Sequence, residues 1–125
     1  MWLMTKYGFY SIVQKKPNEF HVRSREKADL ENLVKYVPLS EAEVSSSLSA
    51  DYAYRIVVGK EEVLAILNFL GNTLDYDNFK DMIHRTPNQT HKHNSYADIW
   101  SIMARDFGAY GQAGRVAKKK MNDEF

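Results

Sequence analysis

The sequence predicts an α+β fold: a small ferredoxin-like or split βαβ domain on an antiparallel or mixed sheet, with an N-terminal hairpin and extra C-terminal helices. Three observations predict it. The first 24 residues fall into short β-prone runs broken by turn residues. The middle alternates helix-spaced and strand-spaced segments, and the last third returns to helical spacing alone.

Trp2-Leu3-Met4-Thr5 and Phe9-Tyr10-Ser11-Ile12-Val13 are β-prone runs interrupted at Gly8. Pro17-Asn18 marks a turn, and 19–24 returns as the second arm of a hairpin in which Phe20 and Val22 alternate with His21 and Arg23. Ser24 is placed to cap a helix over about 25–37, with Leu30, Leu33, Val34 and Val37 as its apolar stripe and Pro38 as its stop. Residues 38–51 are acidic and Ser-rich; they read either as a capping box on Ser40 and Glu43 or as a solvated loop. A third strand is expected over 52–58, with Tyr52, Tyr54, Ile56 and Val58 on one face and Ala53, Arg55 and Val57 on the other. Gly59 ends it. The next helix opens at Lys60-Glu61-Glu62, where acids favour the positive end of the dipole, and carries Val63, Ile66, Leu67, Leu70 and Leu74 as its stripe. A short helix over 77–84 and a polar connection around Pro87 follow. The final helix is expected from about residue 94, with Asp98 completing a capping box and Tyr96, Ile99, Trp100, Met103 and Phe107 giving the clearest helical period in the chain. The reading is one domain over 1–108 and a flexible basic tail over 109–125.

Length and composition agree with this. The 125 residues are 44% hydrophobic, 26% charged and 13% aromatic, enough for one core and too apolar for a disordered chain. Mean hydropathy is −0.51, and no apolar run has the ~18 residues needed to span a bilayer. There is no cysteine, which removes disulfide frameworks, thiolate zinc sites and cysteine nucleophiles together. With no secretory h-region at the N-terminus, a cytoplasmic location is expected. The net charge of +1 hides a polarised chain: residues 1–25 carry +4, 26–51 carry −4, 52–84 carry −2 and 85–125 carry +3.

The motifs that would carry catalysis or a metal fail on spacing. Asp75 and Asp77 resemble the opening of a calcium loop, but its sixth position is Lys80 rather than Gly, and its twelfth is Thr86 rather than Glu. His84, His91 and His93, with Asp98, form the only histidine cluster, yet none stand in the helical pair that zinc sites favour. No nucleophile elbow, phosphate-binding loop or dinucleotide fingerprint occurs. No catalytic residue, metal site or cofactor is therefore expected.

Two surfaces remain. If the hairpin and the third strand are neighbours, His21, Arg23 and Arg55 share the face opposite the apolar one. Arginine beside exposed aromatics is the pattern of a single-stranded nucleic-acid platform, which the basic ends (Lys6, Lys15, Lys16; Arg115, Lys118, Lys119, Lys120) would extend. The C-terminal half carries Tyr76, Phe79, Tyr96, Trp100, Met103 and Phe107, a density of large amphipathic groups that suits either a core or an interface between two copies.

The strand Tyr54-Arg55-Ile56-Val57-Val58, then Asp75-Tyr76-Asp77-Asn78-Phe79-Lys80, then His93…Tyr96…Trp100-Ser101-Ile102-Met103 resembles a group of small uncharacterised bacterial and phage proteins. The opening Trp2-Leu3-Met4…Gly8-Phe9-Tyr10-Ser11 and the Phe20–Arg25 strand fit the same group, so the resemblance covers about 1–107. It implies a compact domain without an assigned activity, and it singles out Arg23, Arg55, Tyr76, Asn78, Lys80, Tyr96 and Trp100 as binding residues. The expected function is a non-catalytic interaction module that self-associates. The alternatives are a nucleic-acid-binding module using the arginine face, and a small hydrolase built on Asp75, Asp77 and the histidines.

Overall fold

Ile12, Val22 and Ile56 stand side by side on three antiparallel strands, and that register decides which face of the sheet is apolar. The computed structural model describes residues 1–39 and 42–108. Its strands are β1 (Trp2–Thr5), β2 (Gly8–Lys16), β3 (Glu19–Ser24), β4 (Ser45–Ser46) and β5 (Tyr54–Val58). Its α-helices are α1 (Lys27–Tyr36), α2 (Lys60–Asn72), α3 (Phe79–Arg85) and α4 (His93–Phe107), the last entered through a 3-10 turn over Thr90–Lys92. Sheet order is β1-β2-β3-β5-β4, antiparallel at every pairing. The α+β architecture and its N-terminal hairpin stand as the sequence predicts.

The topology contains a split βαβ arrangement. Strands β3 and β4 are joined through α1 and run parallel, with β5 inserted between them. A ferredoxin-like fold would go on to add a strand after α2 on the far side of β3. That place belongs to β2 of the hairpin, and α2 is followed by helices among the described residues. Strand β4 escaped sequence reading because Ser45-Ser46 carries no apolar alternation; its pairing with Tyr54 and Arg55 alone defines it.

The chain divides into two compact units, Met1–Met82 and Ile83–Phe125. In the first, α1 and α2 bury their stripes on one face of the sheet. Tyr10, Ile12, Phe20, Val22, Ile56 and Val58 meet Leu30, Leu33, Val63 and Ile66 there. Val34 and Leu74, expected in these stripes, are exposed. Aromatic packing ties the β1–β2 turn to both helices: Tyr7 lies 5.6 Å from Tyr36 and 5.0 Å from Phe69, centroid to centroid. In the second unit Ile83, Gln89 and Tyr96 are buried. The tail over 109–125 lies outside the described residues.

Cap chemistry differs from expectation before α1 and α4, whereas α2 opens at Lys60 behind Gly59 with Glu61 and Glu62 in its first turn as the sequence predicts. Glu26, not Ser24, precedes the first turn of α1, with no side-chain cap; Ser24 Oγ instead donates to the Glu26 carbonyl at 2.6 Å. Before α2, the Gly59 N–H donates to Glu62 at 3.1 Å and the Lys60 N–H to Asn18 Oδ1 at 2.8 Å. Asn18 can serve because its φ of 58° turns the hairpin tightly after Pro17. Helix α4 begins at His93 behind Lys92, with no side-chain cap, so neither Asn94, Ser95 nor Asp98 acts as foreseen. Ser40 lies outside the described residues.

Gly8 is required by a close approach. A Cβ there would stand 2.5 Å from the Asp29 Cβ and 2.8 Å from the Tyr10 hydroxyl. Asp29 is buried, accepts the Phe9 N–H at 3.1 Å, and offers its carbonyl to Tyr10 Oη at 2.7 Å. Gly8→Ala should therefore destabilise the fold by about 1–3 kcal/mol. Gly71→Ala, inside α2 with nothing within 4 Å of the new methyl, should stabilise it by about 0.5–1 kcal/mol. Urea denaturation of the two variants gives opposite signs if this packing is correct.

Candidate functional site

Because side chains alternate along a strand, the register that buries Ile12, Val22 and Ile56 turns their neighbours to the other face. Trp2 pairs with Ser11, Ser11 with Arg23, Arg23 with Arg55, and Arg55 with Ser45. These five residues form one row across all five strands. The adjacent row is Val13, His21 and Val57. Arg23 and Arg55 are thus direct cross-strand neighbours on the face opposite the apolar one, as the sequence suggests.

Two like charges facing each other across a strand pair destabilise it by a few tenths of a kcal/mol to about 1 kcal/mol. The surroundings explain how one of them is held. Arg23 Nη2 donates to Ser11 Oγ at 2.7 Å, and its guanidinium carbon lies 4.6 Å from the Tyr52 ring centroid. Arg25 lies 4.2 Å from the same ring and 5.8 Å from Phe9, and its guanidinium pairs with Asp51 at 3.3 Å. Phe9 in turn lies 6.0 Å from Trp2. Arg23 Nε is buried with no partner among the described residues, a cost of about 1–3 kcal/mol for an unmade hydrogen bond. Arg55 Nη1 donates to His21 Nδ1 at 3.3 Å. Since a guanidinium only donates, Nδ1 accepts, which leaves the His21 proton on Nε2, 3.4 Å from the Glu19 carboxylate. Among the described residues neither Arg23 nor Arg55 forms an ion pair with a carboxylate.

Tyr52 corrects the sequence reading. It stands before the strand begins at Tyr54, so the alternation does not govern it. Its ring lies against Arg23 and Arg25 rather than aligning with Ile56. Sequence reasoning also missed Trp2, Phe9 and Ser11 as members of this face. Counting alternate positions outward from Ile12 finds Phe9 and Ser11; Trp2 joins through its pairing with Ser11, and Tyr52 from outside the strand.

The other singled-out residues lie outside the strands that carry this row. Asn78 caps α3: its Oδ1 accepts the Asp81 N–H at 3.0 Å, a structural role. Lys80 is exposed in the first turn of that helix. Tyr76 lines a cleft of about 250 Å³ bounded by Leu3, Tyr7, Leu67, Leu70 and Leu74. There Lys6 pairs with Asp75 at 2.9 Å and lies over both the Tyr7 and Tyr76 rings. Burial pushes the Tyr76 phenol above its ordinary value, with Asp75 adding to the effect and Lys6 opposing it. Tyr96 and Trp100 belong to the second unit, on α4, the first buried and the second exposed. His84 and His93 meet ring edge to face at 5.6 Å, but among the described residues no group of three potential ligands could hold a metal ion.

No family model, curated protein or solved structure matches the chain. The resemblance to small bacterial and phage proteins gains no support from these comparisons.

If Tyr52 organises the arginines through its ring, Tyr52→Leu should destabilise the protein by about 1–2 kcal/mol, whereas Tyr52→Phe should stay within about 0.5 kcal/mol of the parent. Thermal denaturation of both variants distinguishes ring stacking from a role of the hydroxyl.

Proposed function

We propose that the protein is a non-catalytic interaction module that self-associates through α4. The observation that supports this reading is the apolar face of that helix. Ile99, Trp100, Ile102, Met103 and Phe107 are 38–74% exposed, where a solvated helix would carry polar groups. Side chains of this size leave roughly 500–600 Å² of apolar surface per copy in water. Two copies packed face to face would bury about 1,100 Å², just above the ~1,000 Å² that a specific interface needs.

A second copy is the natural occupant because a two-fold axis lets one stripe cover another. No helix among the described residues is long and apolar enough to cross a membrane, and the lack of cysteine is compatible with the cytoplasm, where we place the protein. Light scattering on a size-exclusion column should show a dimer at 100 µM that dissociates on dilution, and a monomer for the double variant Trp100→Glu, Met103→Glu. A parent protein that stays monomeric at 100 µM would contradict the proposal.

A further inference from the structure

We propose that the sheet face carrying Trp2, Arg23 and Arg55 binds single-stranded nucleic acid, with phosphates on the two arginines and a base stacked on Trp2. This is independent of self-association, since it uses a different element.

The charge comes first. Arg23 and Arg55 are directly opposite in register, and among the described residues neither has an ion-pair partner. The mutual repulsion of two such cations is relieved when each pairs with an anion, and an arginine fork matches the paired oxygens of a phosphate. Arg23 is held in place beforehand by Ser11 and the Tyr52 ring, so its ordering is complete before a ligand arrives. Ser45 ends the same row with an exposed hydroxyl.

The aromatic groups then choose among anions. Trp2 is 72% exposed, stands beside Phe9 and lies two strand spacings, about 10 Å, from the Arg23 strand. A flat exposed ring next to ordered cations suits unstacked bases, because every base has a face to stack and every linkage a phosphate to pair. An acidic peptide would use the arginines and leave the indole idle. A duplex would do the same, its bases being stacked already.

Fluorescence anisotropy with the intact protein tests this, using labelled 12-residue oligothymidylate and oligouridylate, a duplex of equal length and an oligoaspartate peptide. The proposal expects the single strands to bind more tightly than the duplex or the peptide. With two phosphates engaged, affinity should fall roughly sevenfold between 50 and 200 mM salt. Arg55→Gln should weaken binding about fivefold or more, and Trp2→Ala should weaken the single strands without changing the salt dependence. Arg55→Gln also removes the cross-strand repulsion, so it should melt no lower than the parent, which separates lost contact from lost fold. Absence of single-strand binding at 50 mM salt, equal binding of the duplex or peptide, or full binding by Arg55→Gln would each overturn the proposal.

Discussion

The structure of the first unit depends on one constraint, the pairing register of β2, β3 and β5. Placing Val22 between Ile12 and Ile56 joins three apolar side chains into the floor on which α1 and α2 pack. The pleat then leaves Arg23 no alternative to the other side, beside Arg55. A slip of one residue on β3 would turn Arg23 and His21 toward Leu30 and Ile66 and send Val22 into water. The apolar core and the cationic row are therefore consequences of the same hydrogen-bond ladder.

What the core gains, the opposite face must accommodate electrostatically. Tyr52 does this for Arg23 and Arg25, offering the negative face of its ring to both while Asp51 pairs with one of them. Among the described residues the Arg55 guanidinium meets the His21 ring, itself turned toward Glu19. Among the described residues the buried Arg23 Nε has no hydrogen-bond partner, which sets a cost against the stacking on Tyr52.

The parts of this legible in the sequence are those with a period. Alternation in Phe20-His21-Val22-Arg23 and Tyr54-Arg55-Ile56 located both arginines on one face, and the 3.6-residue spacing located α1, α2 and α4. Turn chemistry at Pro17-Asn18 located the hairpin. What escaped has no local signal. Ser45-Ser46 becomes a strand only by meeting β5, Tyr52 joins the arginine face from outside the strand, and Gly8 matters because Asp29 arrives from a helix. The cap that Asn78 makes on α3 carries no periodic signal either. Spacing marks the stripe on α4 but cannot say whether such a face is covered, and here most of it is exposed.

The absence of cysteine allows the central register to be tested directly. Residues opposite one another in an antiparallel pair have Cα atoms about 4.5–5.5 Å apart, within reach of a disulfide, whereas residues on opposite faces point apart. The double variant Arg23→Cys, Arg55→Cys should oxidise readily to an intramolecular disulfide, and Arg23→Cys, Ile56→Cys should not, as read by the mass of the oxidised protein and its alkylation. A disulfide in the second variant, or none in the first, would contradict the register from which both the core and the cationic face follow.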